Sequence, residues 1–172
     1  MDTEQRVAKA RARDDNALYE LIQARKDVLC RTAYSYVNSK EDALDIVSEA
    51  VYRAYRVRKL KEPALFNTWL MRIVINCSND HRKMYGRFVT VETYSEAVGQ
   101  DSVQDVTFID VHQALERLDE KCRTVIILKY FQDLTVSQIA EVMDCPQGTI
   151  KTYLHRVLRI LRLELKEEWL NG

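Results

Sequence analysis

Between residues 147 and 163, cationic and hydrogen-bonding side chains recur on one arc of a helical wheel. At 100° per residue, Lys151, Thr152, His155, Arg156 and Arg159 fan across one side. Ile150, Leu154, Val157, Leu158 and Leu161 form the stripe opposite, and no acid occurs in the segment. Lys and Arg neutralise phosphates or grip guanine edges, while Thr and His sharpen base choice, so the chemistry is that of duplex DNA. The preceding residues supply a mount. Thr135 with Gln138 makes a capping box, and Ile139, Ala140, Val142 and Met143 give the helix they open an apolar side. Asp144-Cys145-Pro146 supplies a turn, with Pro146 at a first helical position. Gly148 then leaves room for close approach of another helix or a phosphate. The pattern is a helix-turn-helix whose second helix enters a major groove, with a basic-faced helical hairpin as the competing reading.

Two further helices carry faces worth examining. In residues 66–84, Phe66, Trp69, Leu70, Ile73, Val74, Cys77 and Met84 line one side. Thr68, Met71, Arg72, Ile75, Asn76, Asn79, Arg82 and Lys83 line the other. Amide, basic and apolar groups together suit unstacked bases, which need phosphate neutralisation, base-edge hydrogen bonds and apolar support. In residues 40–58, Leu44, Val47, Ala50, Val51, Ala54 and Tyr55 form the expected buried side. Asp42, Asp45, Glu49, Arg53 and Arg56 cluster opposite, with Ile46 at the edge of that stripe. This face fits either a solvated surface with Glu49–Arg53 pairing or a docking surface for a basic helix.

Catalysis has little support. His81, His112 and His155 fall on three separate helices, and there is no H-E-x-x-H, Gly-rich phosphate loop or serine elbow. No enzymatic activity and no cofactor or metal is expected. Cys30, Cys77, Cys122 and Cys145 lack ligand spacing and read as structural thiols. Charge is segregated: 26 basic residues balance 26 acidic ones. Residues 52–61 hold five cations and no acid, whereas residues 86–110 hold five acids against Arg87 alone. DNA contact must therefore rest on local patches.

The elements that position these faces are helices. Four glycines and two prolines in 172 residues are too few for the turns of a sandwich, barrel or doubly wound sheet, so the fold is all-α. Helices are expected over residues 17–37, 40–58 (with Ser39 and Asp42 as a capping box), 66–84, 110–118, 120–131, 136–143 and 147–167. Residues 1–85 form one small domain and residues 110–172 another, joined by a flexible acidic linker over 86–109. No apolar run reaches the roughly 18 residues of a membrane span, and the amino terminus lacks a signal-peptide core, so membrane insertion is excluded and a cytoplasmic location expected.

The segments Asp42–Ala50, Phe66–Ile73 with Asn76, and Leu115–Lys151 resemble, in order and spacing, the motifs of the small two-domain extracytoplasmic-function (ECF) sigma factors of the sigma-70 family. Tyr153 departs from the Arg often found there, and the loop before Phe66 is short and holds Pro63. The resemblance implies an initiation factor. Asp42, Asp45, Ile46 and Glu49 would bind core RNA polymerase through its β′ and β subunits. Leu60, Arg72, Asn76, Asn79, Arg82 and Lys83 would hold the −10 element, and Gly148, Thr149, Lys151, Thr152, His155, Arg156 and Arg159 the −35 element. It also implies an anti-sigma partner, release by stress, and a linker lying in the RNA path of polymerase. A stand-alone helix-turn-helix regulator and a helical adaptor without a DNA role are the alternatives.

Overall fold

The computed structural model describes residues 3–11, 14–57, 63–85 and 113–171. Leu60, most of the loop before Phe66, the linker 86–109 and residues 110–112 lie outside them. Among the described residues there are helices and turns and no strand. They form two compact units, one of residues 3–84 with 141–143 and the other of residue 85 with 113–140 and 144–171.

The first unit comprises α1 (Thr3–Arg11), α2 (Asp15–Gln23), α3 (Lys26–Val37), α4 (Lys40–Val57), a 3-10 turn (Pro63–Leu65) and α5 (Phe66–Tyr85). Helix α1 has too short an apolar pattern to stand out in the sequence, yet its Val7 and Ala10 are buried. The single helix expected over 17–37 is two helices, broken at Ala24-Arg25. The apolar period runs through the break without a phase change, and no Gly or Pro marks it. At the break the exposed Arg25 Nε donates to Asn67 Oδ1 of α5 at 2.8 Å. Asp14 caps α2 by accepting from the N–H groups of Asn16 and Ala17. Helix α3 closes on Asn38 in the left-handed region, and the Ser39 hydroxyl then accepts from the Asp42 N–H, one arm of the expected capping box. The core joins Leu18, Leu21, Leu29, Ala33, Val47, Phe66, Leu70, Val74 and Cys77, and Ala43, Ala50 and Ala54 bring α4 close onto α3.

In the second unit residues 113–116 are helical and the helix ends there, two residues before the expected 118; its expected start at 110 lies outside the described residues. Next comes α6 (Glu120–Ile126), which continues as a π-helical turn (Ile127–Phe131) in place of the uniform α-helix expected over 120–131. Helices α7 (Val136–Met143) and α8 (Gln147–Asn171) follow, α8 outrunning its expected end. Leu115, Leu118, Cys122, Val125, Leu128, Ile139, Ile150 and Val157 are buried. Arg123, itself buried, donates to the carbonyls of Leu115, Glu116 and Leu118, satisfying groups that a short helical turn leaves open. All four cysteines are free, with Cys77 and Cys122 buried among apolar side chains. Burial pushes the Cys77 thiol up to about 11 and raises that of Cys122. No helix among the described residues is long and apolar enough to cross a membrane, and none of these residues gather into a metal-binding group.

Candidate nucleic-acid and polymerase interfaces

The mount of α8 forms as its sequence dictates. The Thr135 N–H donates to Gln138 Oε1 at 2.9 Å while the Gln138 N–H donates to Thr135 Oγ1 at 3.2 Å, closing both arms of the capping box. Asp144 adopts φ 52°, and the Cys145 N–H donates to the Ala140 carbonyl, ending α7 without a glycine. Pro146 lies just before the helix, not at its first position, and its carbonyl accepts from the Thr149 N–H. A Cβ added at Gly148 would meet nothing within 4 Å, so no helix closes on that side and only the open approach to a ligand remains.

On α8, Gly148, Lys151, Thr152, His155, Arg156 and Arg159 are exposed together, Thr149 is half-buried, and Ile150 and Val157 anchor the opposite side. Leu158, expected in the buried stripe, is exposed, and Leu154 and Leu161 are half-buried. The Thr152 hydroxyl donates back to the Gly148 carbonyl at 3.0 Å. Arg156 Nη1 lies 3.5 Å from Oδ2 of Asp119, a contact the sequence pattern does not reveal.

Helix α5 presents a narrower arc than its pattern implies. Asn76 and Lys83 are exposed and Arg72 and Arg82 half-buried, but Asn79 is only 5 % exposed and Ile75 is buried. Asn79 therefore does not belong to an open face. Neighbouring helices claim both flanks of α5. Thr32 Oγ1 donates to Met71 Sδ, and Arg82 Nη1 donates to the Tyr36 carbonyl of α3. On the other flank Arg53 Nη1 reaches Asp80 at 2.9 Å, and His81 Nε2 lies 3.6 Å from Asp42 Oδ1.

Helix α4 is turned relative to its expected phase. Ile46 is 2 % exposed and belongs to the core, whereas Leu44 is 54 % exposed. The three alanines explain this: packing them against α3 permits closer approach than packing Leu44 would. Asp45 and Glu49 stand exposed and Asp42 half-buried. Glu49 accepts from Arg53 Nε at 2.7 Å, so one guanidinium joins acids of α4 and α5. These two carboxylates raise the Arg53 pKa further and keep the group charged. Tyr52, exposed beneath the Arg56 guanidinium 5.6 Å from its ring centroid, is the apolar member of this face, whereas the exposed Leu44 lies more than 90° around the helix from the acids. The spacing of Tyr52, seven residues from Asp45 and three from Glu49, was the available signal.

Comparison with known proteins agrees with this division. The model of Sigma-70 region 2 matches residues 21–88, and that of Sigma-70, region 4 matches residues 108–161. The RNA polymerase sigma factor SigV of Bacillus subtilis is 32% identical over 157 residues, covering 88% of this chain and 92% of that protein. The ECF RNA polymerase sigma factor SigW of the same organism is 29% identical, covering 97% and 98%. Among solved structures, CnrH in complex with the cytosolic domain of CnrY superposes with a TM-score of 0.71 at 21% identity, covering 96% of this chain and 99% of that one. The sigma factor RpoE bound to the anti-sigma factor NepR from Bartonella quintana gives 0.63 at 21%, covering 86% and 96%. The shared fold, both regional matches and near full-length likeness to curated relatives meet in one conclusion: the chain belongs to the ECF group of the sigma-70 family, the RNA polymerase sigma factors that direct transcription initiation.

Proposed function

We propose that the chain acts without catalysis of its own, in the cytoplasm, by dividing promoter recognition between its two units: residues 1–85 for polymerase and the −10 element, residues 110–172 for the −35 element. Asp42, Asp45 and Glu49 of α4 meet a basic surface of core polymerase, with Tyr52 as the apolar anchor where Ile46 was expected. Complementary charge sets encounter and register, and the apolar anchor supplies affinity. Arg72, Asn76 and Lys83 of α5 hold extruded −10 bases, whose flipping costs a few kcal/mol that base-edge hydrogen bonds and stacking must offset. The exposed arc of α8 meets the −35 duplex. An anti-sigma factor blocks these surfaces until stress releases the protein, an assignment supported by a structural neighbour of the same fold that was solved with one.

The observation that carries the reading is the arc of α8, cationic and exposed on a capped helix-turn-helix, in the same chain as the acidic face of α4. A stand-alone repressor has no use for that second face. Run-off transcription with core polymerase tests it. The chain is expected to support promoter-dependent transcripts, and Asp45→Lys with Glu49→Lys to abolish them while α4 stays folded. Full transcription by the double variant sinks the assignment.

A further inference from the structure

Arg156 lies in the middle of the DNA-facing arc of α8, yet in this structure it faces a carboxylate of its own unit. Asp119 precedes α6 with extended backbone, φ −63° and ψ 161°, and its Oδ1 accepts from the Cys122 N–H at 2.9 Å as the helix cap. That bond fixes the side chain and leaves Oδ2 pointing at Arg156 Nη1, 3.5 Å away. Both side chains are more than half exposed, 56 % for Arg156 and 54 % for Asp119, so the pair holds little stability. A cap requires only an oxygen acceptor, and Asn or Ser would serve as well. The negative charge is thus surplus to the cap and stands beside a cation needed for DNA.

We infer that Asp119 is a specificity-determining residue for −35 binding, whose capped carboxylate holds Arg156 and repels phosphate so that indiscriminate duplex binding is suppressed. The inference rests on the assignment of α8 to DNA. Any phosphate that Arg156 engages comes within a Debye length of Asp119, about 10 Å at 0.1 M salt, so the carboxylate opposes every duplex regardless of sequence. A promoter offsets this opposition through base contacts from Lys151, Thr152, His155 and Arg156 itself, and a random duplex does not. Because the cap bond pins Asp119, the guanidinium can leave it for a base edge or phosphate while the carboxylate cannot follow.

The test uses the intact chain, Asp119→Asn and Asp119→Ser, each with its cap oxygen retained, on a promoter duplex and a scrambled duplex across a salt series. Thermal melts matching the parent chain confirm the fold. Both variants are expected to bind scrambled duplex roughly threefold tighter, the scale of one nearby like charge in water. Their promoter affinity rises less, the ratio falls, and the salt slope for scrambled duplex steepens by up to about 0.9, one phosphate contact. In an Arg156→Ala background the Asn substitution is expected to tighten scrambled duplex by less, since only the repulsion of phosphate is then removed. Scrambled-duplex affinity equal to the parent chain's, or a promoter-to-scrambled ratio that holds or rises, overturns the role of Asp119. If the parent chain shows no salt-dependent binding to either duplex, the assignment of α8 to DNA fails instead.

Discussion

Exchanging the roles of Ile46 and Leu44 has a measurable consequence, because one is 2 % exposed and the other 54 %. Ile46→Ala removes three buried carbons, about 2.4 kcal/mol at roughly 0.8 kcal/mol per methylene, and the residual cavity raises the total to about 3–4 kcal/mol. In a unit of this size that corresponds to a fall in melting temperature of roughly 12–25 °C. Leu44→Ala buries nothing less and is expected to alter stability by under about 0.5 kcal/mol. Tyr52→Ala removes the apolar anchor of the acidic face, and holoenzyme assembly is expected to weaken about tenfold, the scale of one well-seated contact. Urea unfolding followed by far-UV circular dichroism reads the first effect, with an unchanged m-value as control. Titration of core polymerase reads the second. Stability within about 0.5 kcal/mol of the parent for Ile46→Ala, or a loss as large for Leu44→Ala, refutes the phase of α4 described above, and unaltered assembly for Tyr52→Ala refutes its role as anchor.

Three other outcomes follow from single groups. Arg123→Met leaves three carbonyls without their donor and is expected to destabilise the second unit by about 2–3 kcal/mol in urea, with Arg123→Lys recovering only part because one ammonium cannot reproduce the fork. Thr135→Ala opens the capping box and is expected to cost about 1 kcal/mol in the same measurement. The Cys77 thiol, pushed up to about 11 and buried, is only ~0.1% thiolate at pH 8, so alkylation followed by mass is expected to label Cys30 and Cys145 first. Cys77 labelling at the rate of the half-buried pair contradicts that burial.

The helix-turn-helix was legible because its signals are local: a capping residue, its partner three positions on, an apolar side and a turn fall within thirty residues of sequence. The acidic face of α4 was legible for the same reason, but its phase was not. A helical wheel treats leucine and alanine alike as apolar and cannot show that three alanines draw α4 against α3 and expel Leu44. Asn79 escaped for a related reason. Its polarity suggested exposure, whereas its burial is decided by helices far from it in sequence. The break at Ala24-Arg25 stands beside a bond to Asn67, forty-two residues away, and leaves no local mark. Asp119 reads as an ordinary cap until the fold brings Arg156 beside it.

Ending α7 on a left-handed Asp144 and starting α8 at Gln147 fixes the angle from which the exposed arc views its ligand. One residue added to or removed from that turn would swing the arc by about 100° and aim it at empty solvent or the protein itself. Substitutions along the arc meet no such penalty, since Lys151, Thr152, His155, Arg156 and Arg159 are all outside the packed interior. The hinge length is thus a frozen trait while the letters it presents are free to drift. On the proposed assignment of α8 to the −35 duplex, point changes on one helix face alter which bases are read while the chain folds as before.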